Sequence, residues 1–127
     1  VFVLCLTSNR GADDFQLPDL HLHVAKKVQQ WNVSGNVGLV VGATFPEKIK
    51  AIREITGQMP FLIPGVGAQG GFLEKTLLYA DDGSKIPYLI NTSRSVIYAS
   101  PREDFAKQAG IAAKQLRDRI NSLRSSL

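Results

Sequence analysis

PFLIPGVGAQGG, residues 60 to 71, packs four glycines into seven positions, directly after a short apolar run that stops at Pro64. Gly65, Gly67 and Gly70 carry the G-x-G-x-x-G spacing of dinucleotide-binding loops, where missing side chains let backbone N–H groups close on a pyrophosphate. That fingerprint also needs an acid about 20 residues onward, at the end of the next strand, to hold the ribose. The next apolar run ends instead in Asn91, with Ser93 and Arg94 behind it. An arginine there suits a 2′-phosphate, so an NADP-binding oxidoreductase stands as one reading.

Reading outward from the loop, the chain alternates strand, loop and helix four times. VFVLCL (1–6) is a continuous apolar run, as expected of a strand buried on both faces. TSNRGADDFQLPD reads as a polar loop leading to a helix from Leu20 to Trp31. NVGLVVG (36–42) predicts a second strand, with Pro46 in the first turn of a helix reaching Ile55. PFLIP (60–64) is the third strand, with a helix from Gly71 to Tyr79 after the glycine loop. IPYLIN (86–91) is the fourth, followed by TSRSVIYAS and a long basic helix that Ser100 caps and Pro101 opens. Such alternation implies an α/β fold with a parallel sheet. Either a four-stranded doubly wound sheet or half of an eight-stranded barrel satisfies it, and functional loops follow the strand C-termini in both.

At 127 residues, 44% hydrophobic and 20% charged, the sequence suits one globular domain over its whole length. Its apolar runs are too short to span a bilayer, its single cysteine fits a reducing compartment, and it opens without a secretory pattern. A cytoplasmic protein is expected, without a membrane partner. The net charge of +4 owes much to Arg102, Lys107, Lys114, Arg117, Arg119 and Arg124. Phe105, Ala109, Ala112, Leu116, Ile120, Leu123 and Leu127 recur there in steps of three and four, which puts the basic residues on a wet helix face. No aromatic residues interleave with the charges, so no nucleic-acid partner is expected. A start in mid-strand at Val1, with Met59 as the only methionine, is expected of a piece of a longer protein.

The strands end in polar or glycine-rich clusters: Thr7-Ser8-Asn9, Gly42-Ala43-Thr44, the glycine loop, and Asn91-Thr92-Ser93-Arg94. Barrels often hold a phosphate with the loops after their last two strands and the N-terminus of a short extra helix. If these four units are strands five to eight, the glycine loop follows strand seven and SRSVIYA (93–99) supplies the short helix. That arrangement favours the barrel.

TSN (7–9), WN (31–32), GLVVGAT (38–44), PFLIPGVGAQGG (60–71) and INTSRSVIYA (90–99), in this order, resemble the C-terminal half of bacterial-type orotidine 5′-monophosphate decarboxylases. The resemblance implies the second half of a (β/α)8 barrel and conversion of orotidine 5′-monophosphate to UMP and CO2 without cofactor or metal. It implies that Ser8 bonds the pyrimidine, that Pro64 opens the loop that closes over substrate, and that Gln69 bridges phosphate and base. It further implies that Arg94 grips the phosphate beside the backbone N–H of Ser93, with Gly65 and Gly67 in the phosphate loop. Many relatives carry glycine where Ser93 stands. The family's catalytic Lys-Asp-Lys-Asp network, one aspartate lent by a dimer partner, belongs to the other half-barrel. The catalytic residues are therefore expected upstream of Val1, in a missing N-terminal half, and the complete protein is expected to be a homodimer. Lys26, Lys27, Asp13 and Asp14 are not assigned to that network. A non-catalytic phosphate-binding half-barrel is the remaining alternative, and four strands cut from a barrel should expose an apolar inner face.

Other residues have ordinary explanations. Cys5 reads as a buried small hydrophobe and Trp31 as packing between helix and barrel. His21 and His23 lack the spacing and acidic partners of a metal site. Asp81-Asp82-Gly83 reads as a helix-ending turn, and Ser125-Ser126-Leu127 lacks the basic middle residue of a peroxisomal address.

Overall fold

The four apolar runs become four strands: β1 (Phe2–Leu6), β2 (Gly38–Val41), β3 (Phe61–Pro64) and β4 (Tyr88–Asn91). They are seen in a computed structural model that describes residues 1–16, 18–66, 72–81 and 88–126. All neighbours pair in parallel, in the order β1-β2-β3-β4. A doubly wound sheet reverses its strand order at a switch point. This sheet does not, and its sequential order is that of a (β/α) barrel. The helices are α1 (Asp13–Gln16), α2 (Leu20–Trp31), α3 (Pro46–Thr56), α4 (Leu73–Ala80), α5 (Arg94–Ile97) and α6 (Phe105–Arg124). They are shared between two compact units, Val1–Asn91 and Thr92–Leu127.

Strand pleating sorts the first unit into two faces. Val3, Leu39, Phe61 and Tyr88 form one row across the sheet, and Leu4, Val40, Leu62 and Leu89 form the next. Successive rows face opposite sides. On the side of Leu39 and Phe61, the sheet and helices bury Leu39, Val41, Phe61 and Ile63 with Val28, Ile49, Ile52 and Leu77. Each such side chain contributes about 1.5–3 kcal/mol by leaving water. On the opposite side Leu4 is 57% and Leu89 55% exposed, between half-buried Val40 and Leu62. This corrects the expectation that VFVLCL is buried on both faces: Phe2 and Leu4 are exposed, and only Cys5 and Leu6 are buried. Helices cover one side of the sheet, and the other is the apolar inner face expected of an opened barrel.

Arg53 ties this unit together from within α3. Its Nη1 donates to the carbonyls of Gly57 and Met59, both at 2.7 Å, and its Nε to that of Ala80 at 3.1 Å. One side chain thus joins the end of α3, the approach to β3 and the end of α4, and the sequence carried no motif announcing it.

Element boundaries follow local chemistry. α3 begins at Pro46, whose missing N–H costs nothing in a first turn, and ends at Gly57. TSNRGADDFQLPD is more ordered than the polar loop predicted from it: a 3-10 turn spans Arg10–Ala12, and Asp13 opens α1. Four residues are too few to show helical periodicity in a sequence. Gly71, the predicted start of the helix after the third strand, and Ile86, the predicted start of the fourth strand, lie outside the described residues.

The second unit holds α5 and α6. α6 starts at Phe105 with Asp104 as its cap residue, which corrects the start assigned to Ser100 and Pro101. Ser100 makes a turn instead, its Oγ accepting the Arg102 N–H at 3.1 Å and donating to the Asp104 carboxylate at 2.6 Å. The Ser100 hydroxyl and then the Gln108 amide hold Asp104 below the usual carboxylate range. Ala109, Ala112, Leu116, Ile120 and Leu123 of the predicted stripe are half-buried within this unit, whereas Phe105, its expected first member, is exposed.

Candidate functional site

Parallel pairing brings the C-terminal ends of β1, β2 and β3 to one edge, and the loop after β2 is bonded to both neighbours. Gly42 N–H donates to the Leu6 carbonyl at 2.8 Å, and Ala43 N–H to that of Pro64 at 2.9 Å. The Thr44 hydroxyl reaches the Ser8 carbonyl at 3.4 Å. Ser8 and Pro64 therefore stand on either side of one short loop, both half-buried. Gly65 follows with φ of 94°, in the left-handed region that side chains disfavour. The strand stops there because Pro64 and Gly65 turn the chain. β4 reaches the same edge, with Asn91 opposite Pro64.

A second element of the rim was not legible in the sequence. Gln16, the last residue of α1, closes a ring of two hydrogen bonds with Thr7: the Thr7 N–H donates to Oε1 at 3.1 Å and Nε2 donates to Thr7 Oγ1 at 3.0 Å. No spacing rule links a glutamine to a threonine nine residues earlier; only the short helix brings them together.

In the second unit, α5 is the short helix predicted after the fourth strand. Ser93 precedes it and Arg94 opens it, both exposed. The Ser93 carbonyl accepts N–H groups from Val96 and Ile97 at 3.0 and 2.8 Å. Ser93 has φ of −119°, outside the left-handed region that favours glycine, so a serine fits there. Thr92 and Ser95 hydroxyls share a hydrogen bond at 2.5 Å. Arg94 presents a planar, permanently charged fork suited to a phosphate. Of the predicted site residues, Gly67 and Gln69 lie outside the described residues, as do Asp82, Gly83 and Leu127.

Cys5 and His21 are built into the core, while His23 is exposed. Cys5 is buried, its thiol donating to the His21 carbonyl at 3.2 Å, and burial pushes its pKa up to about 12. His21 is buried as well; desolvation lowers its pKa, against the opposing pull of the Gln16 carbonyl 3.4 Å from Nδ1. Neither group is poised for chemistry. Trp31 is 60% exposed, correcting the expectation that it packs inside. The buried stripe of α2 runs through His21, Ala25 and Val28, and one more step of four reaches Asn32, leaving Trp31 outside it.

A family model described as the orotidine 5′-phosphate decarboxylase / HUMPS family matches residues 1–109. The orotidine 5′-phosphate decarboxylase of Azoarcus sp. (strain BH72) is 48% identical over 130 residues, covering 98% of this chain and 48% of that protein. Its counterpart from Ralstonia pickettii (strain 12J) is 47% identical, again over 98% of this chain and 48% of its own length. The structure of Leishmania donovani OMP decarboxylase matches with a TM-score of 0.80 at 38% identity, covering 98% of this chain and 48% of that one. Leishmania donovani UMP synthase matches with a TM-score of 0.82 at 41% identity, over 98% of this chain and 28% of that one. The chain spans about half the length of the curated relatives it matches. Together with the sequential strand order, these likenesses give its fold as half of a (β/α)8 barrel.

Proposed function

The chain belongs to the orotidine 5′-phosphate decarboxylase / HUMPS family, and on that premise we propose that it is the phosphate-holding half of an enzyme that converts orotidine 5′-monophosphate to UMP and CO2. The observation that carries this reading is the shared rim, where the loop after β2 is hydrogen-bonded to the ends of both β1 and β3 and so sets Ser8 beside Pro64 and Gly65. Ser8 offers its hydroxyl to the polar edge of the pyrimidine. Pro64 opens the loop that folds over the nucleotide, and Gln69 spans base and phosphate from it. The family resemblance assigns the phosphate to backbone N–H groups of Gly65, Gly67 and Ser93, with the Arg94 guanidinium to neutralise its charge.

The chemistry breaks the bond between the pyrimidine ring and its carboxylate. The electron pair stays on the ring as CO2 leaves, and a proton then takes the vacated position. Stabilising that pair requires a cation beside the reacting carbon, which falls to the Lys-Asp network of the upstream half. This half contributes binding energy remote from the reacting bond, spent on closing the loop and excluding water. No step calls for a cofactor. The same upstream half supplies four more strands, which meet the edges at β1 and β4 and cover the row of Leu4, Val40, Leu62 and Leu89. The complete protein works as a homodimer in the cytoplasm, one aspartate crossing between subunits. Alone, this chain binds phosphate without turning substrate over. The nicotinamide reading of the glycine loop loses its support with the sequential strand order, because the dinucleotide crevice belongs to a switch point.

The test is a decarboxylation assay of this chain beside the gene product extended upstream by a half-barrel. Activity in the longer protein alone is expected. A folded longer protein that binds phosphate but releases no CO2 makes this a binding module.

A further inference from the structure

Two features press on the Ser8 segment from opposite sides. From α1, the Gln16 amide holds Thr7 by both its N–H and its hydroxyl, at 3.1 and 3.0 Å. A two-point fork fixes the rotation of Thr7 as well as its distance, which a single hydrogen bond does not. From β2, Gly42 supplies a floor: a Cβ there would lie 3.0 Å from the Ser8 nitrogen, 3.0 Å from the Thr7 carbonyl carbon and 3.1 Å from Ser8 Cβ. The backbone carrying Ser8 thus rests against the α-carbon of Gly42, and even a methyl group would push it outward by a few tenths of an ångström. The Gly42 N–H to Leu6 and Thr44 hydroxyl to Ser8 bonds keep the two loops in that contact. A hydrogen bond weakens over displacements of this size, so whatever holds Ser8 sets the strength of its contact with a ligand.

We propose that Gln16 and Gly42 are positioning residues for nucleotide recognition: they fix the Ser8 hydroxyl against the base, acting through Thr7 and the Ser8 backbone without touching the nucleotide. The inference rests on the reading of Ser8 as the pyrimidine contact. It predicts selectivity, because the clamp serves the base and not the phosphate.

The experiment measures binding of UMP and of ribose 5-phosphate to the complete protein by calorimetry, with a thermal melt of each variant. Gln16→Leu is expected to weaken UMP about three- to tenfold, the range of one net hydrogen bond, and to leave ribose 5-phosphate unchanged. Gln16→Glu restores UMP binding, since a carboxylate accepts from both the Thr7 N–H and its hydroxyl. Gly42→Ala gives the same selective loss from the opposite side. Thr7→Val, which keeps the N–H and loses the hydroxyl, gives a smaller one, and either variant carries the test if Gln16→Leu does not fold. UMP binding unchanged in Gln16→Leu, Gly42→Ala and Thr7→Val overturns the inference, as does a parallel loss of both ligands, which marks a role in general stability only. A wild-type protein that binds ribose 5-phosphate as tightly as UMP overturns the reading of Ser8 and this inference with it.

Discussion

The guanidinium of Arg53 lies over the ring of Phe61, its central carbon 3.6 Å from the centroid. Both residues are buried, and three carbonyls that accept its N–H groups and an aromatic face that screens it help the cation keep its charge inside the unit. Arg53→Met in the complete protein strands those carbonyls and is expected to cost on the order of 3 kcal/mol in urea denaturation. Arg53→Lys recovers less than half of that, because an ammonium lacks the flat fork. A loss under about 1 kcal/mol for the methionine variant means that water takes over the three bonds.

Cys5 and His21 set two limits on stability against pH. The Cys5 pKa lies near 12 in the folded protein against about 9 for a free thiol. Between those values the unfolded chain sheds a proton that the folded one keeps, so stability falls as pH rises through that window, approaching about 1.4 kcal/mol per pH unit. His21 is lowered by burial, so the unfolded chain takes up a proton first as pH falls through about 6.5, and stability drops on that side too. Comparing wild type with Cys5→Ala at pH 8 and pH 10.5 isolates the alkaline limb. The variant should lose less stability over that interval, and identical slopes would show that the thiol ionises freely in the fold.

Arg94 opens α5 exposed, where a phosphate can reach it. Arg94→Ala in the complete enzyme is expected to lower kcat/KM by the equivalent of about 2–5 kcal/mol, the loss found when a charge pair is left unmatched. Arg94→Lys should recover part of this, keeping the charge and losing the bidentate grip. A near-normal kcat/KM for the alanine variant would sink the assignment.

Leu89 should respond with opposite signs in the two forms of the protein. In this chain alone it is 55% exposed, so Leu89→Lys is expected to raise solubility and reduce self-association in sedimentation. In the complete protein the same change buries a charge under the upstream half and should cost more than about 2 kcal/mol. Equal stability of the variant and wild type in the longer protein would mean that the inner face stays open to water.

Much of this architecture was readable because a sheet covered on one side by helices writes itself as short apolar runs separated by helix-length polar stretches. α2 matches its predicted limits, Leu20–Trp31, and α3 ends one residue beyond the predicted Ile55. The failures share a cause. VFVLCL is apolar throughout, and nothing in the run says which face the helices of this chain will cover. Trp31 is a large apolar residue at the edge of a stripe, and a single step of the helix decides its exposure. Ser100-Pro101 has the composition of a helix start, yet the Ser100 hydroxyl bonds the Arg102 N–H and Asp104 and turns the chain before α6 begins. Ser8, Pro64 and Arg94 could be singled out as candidates in the sequence because their motifs are local. Gln16, Gly42 and Arg53 act on partners that only the folded chain brings near.

Each of β1, β2 and β3 pairs with the strand that follows it in the chain. Pairing therefore never waits for a distant segment, and each closure adds a connection of about 20 to 30 residues at modest entropic cost. A sheet grown in this way can nucleate at any one βα unit and extend in both directions. The order that exposes β1 and β4 as edges is thus also a folding route in which the rim that carries Ser8 and Pro64 forms progressively, one loop at a time.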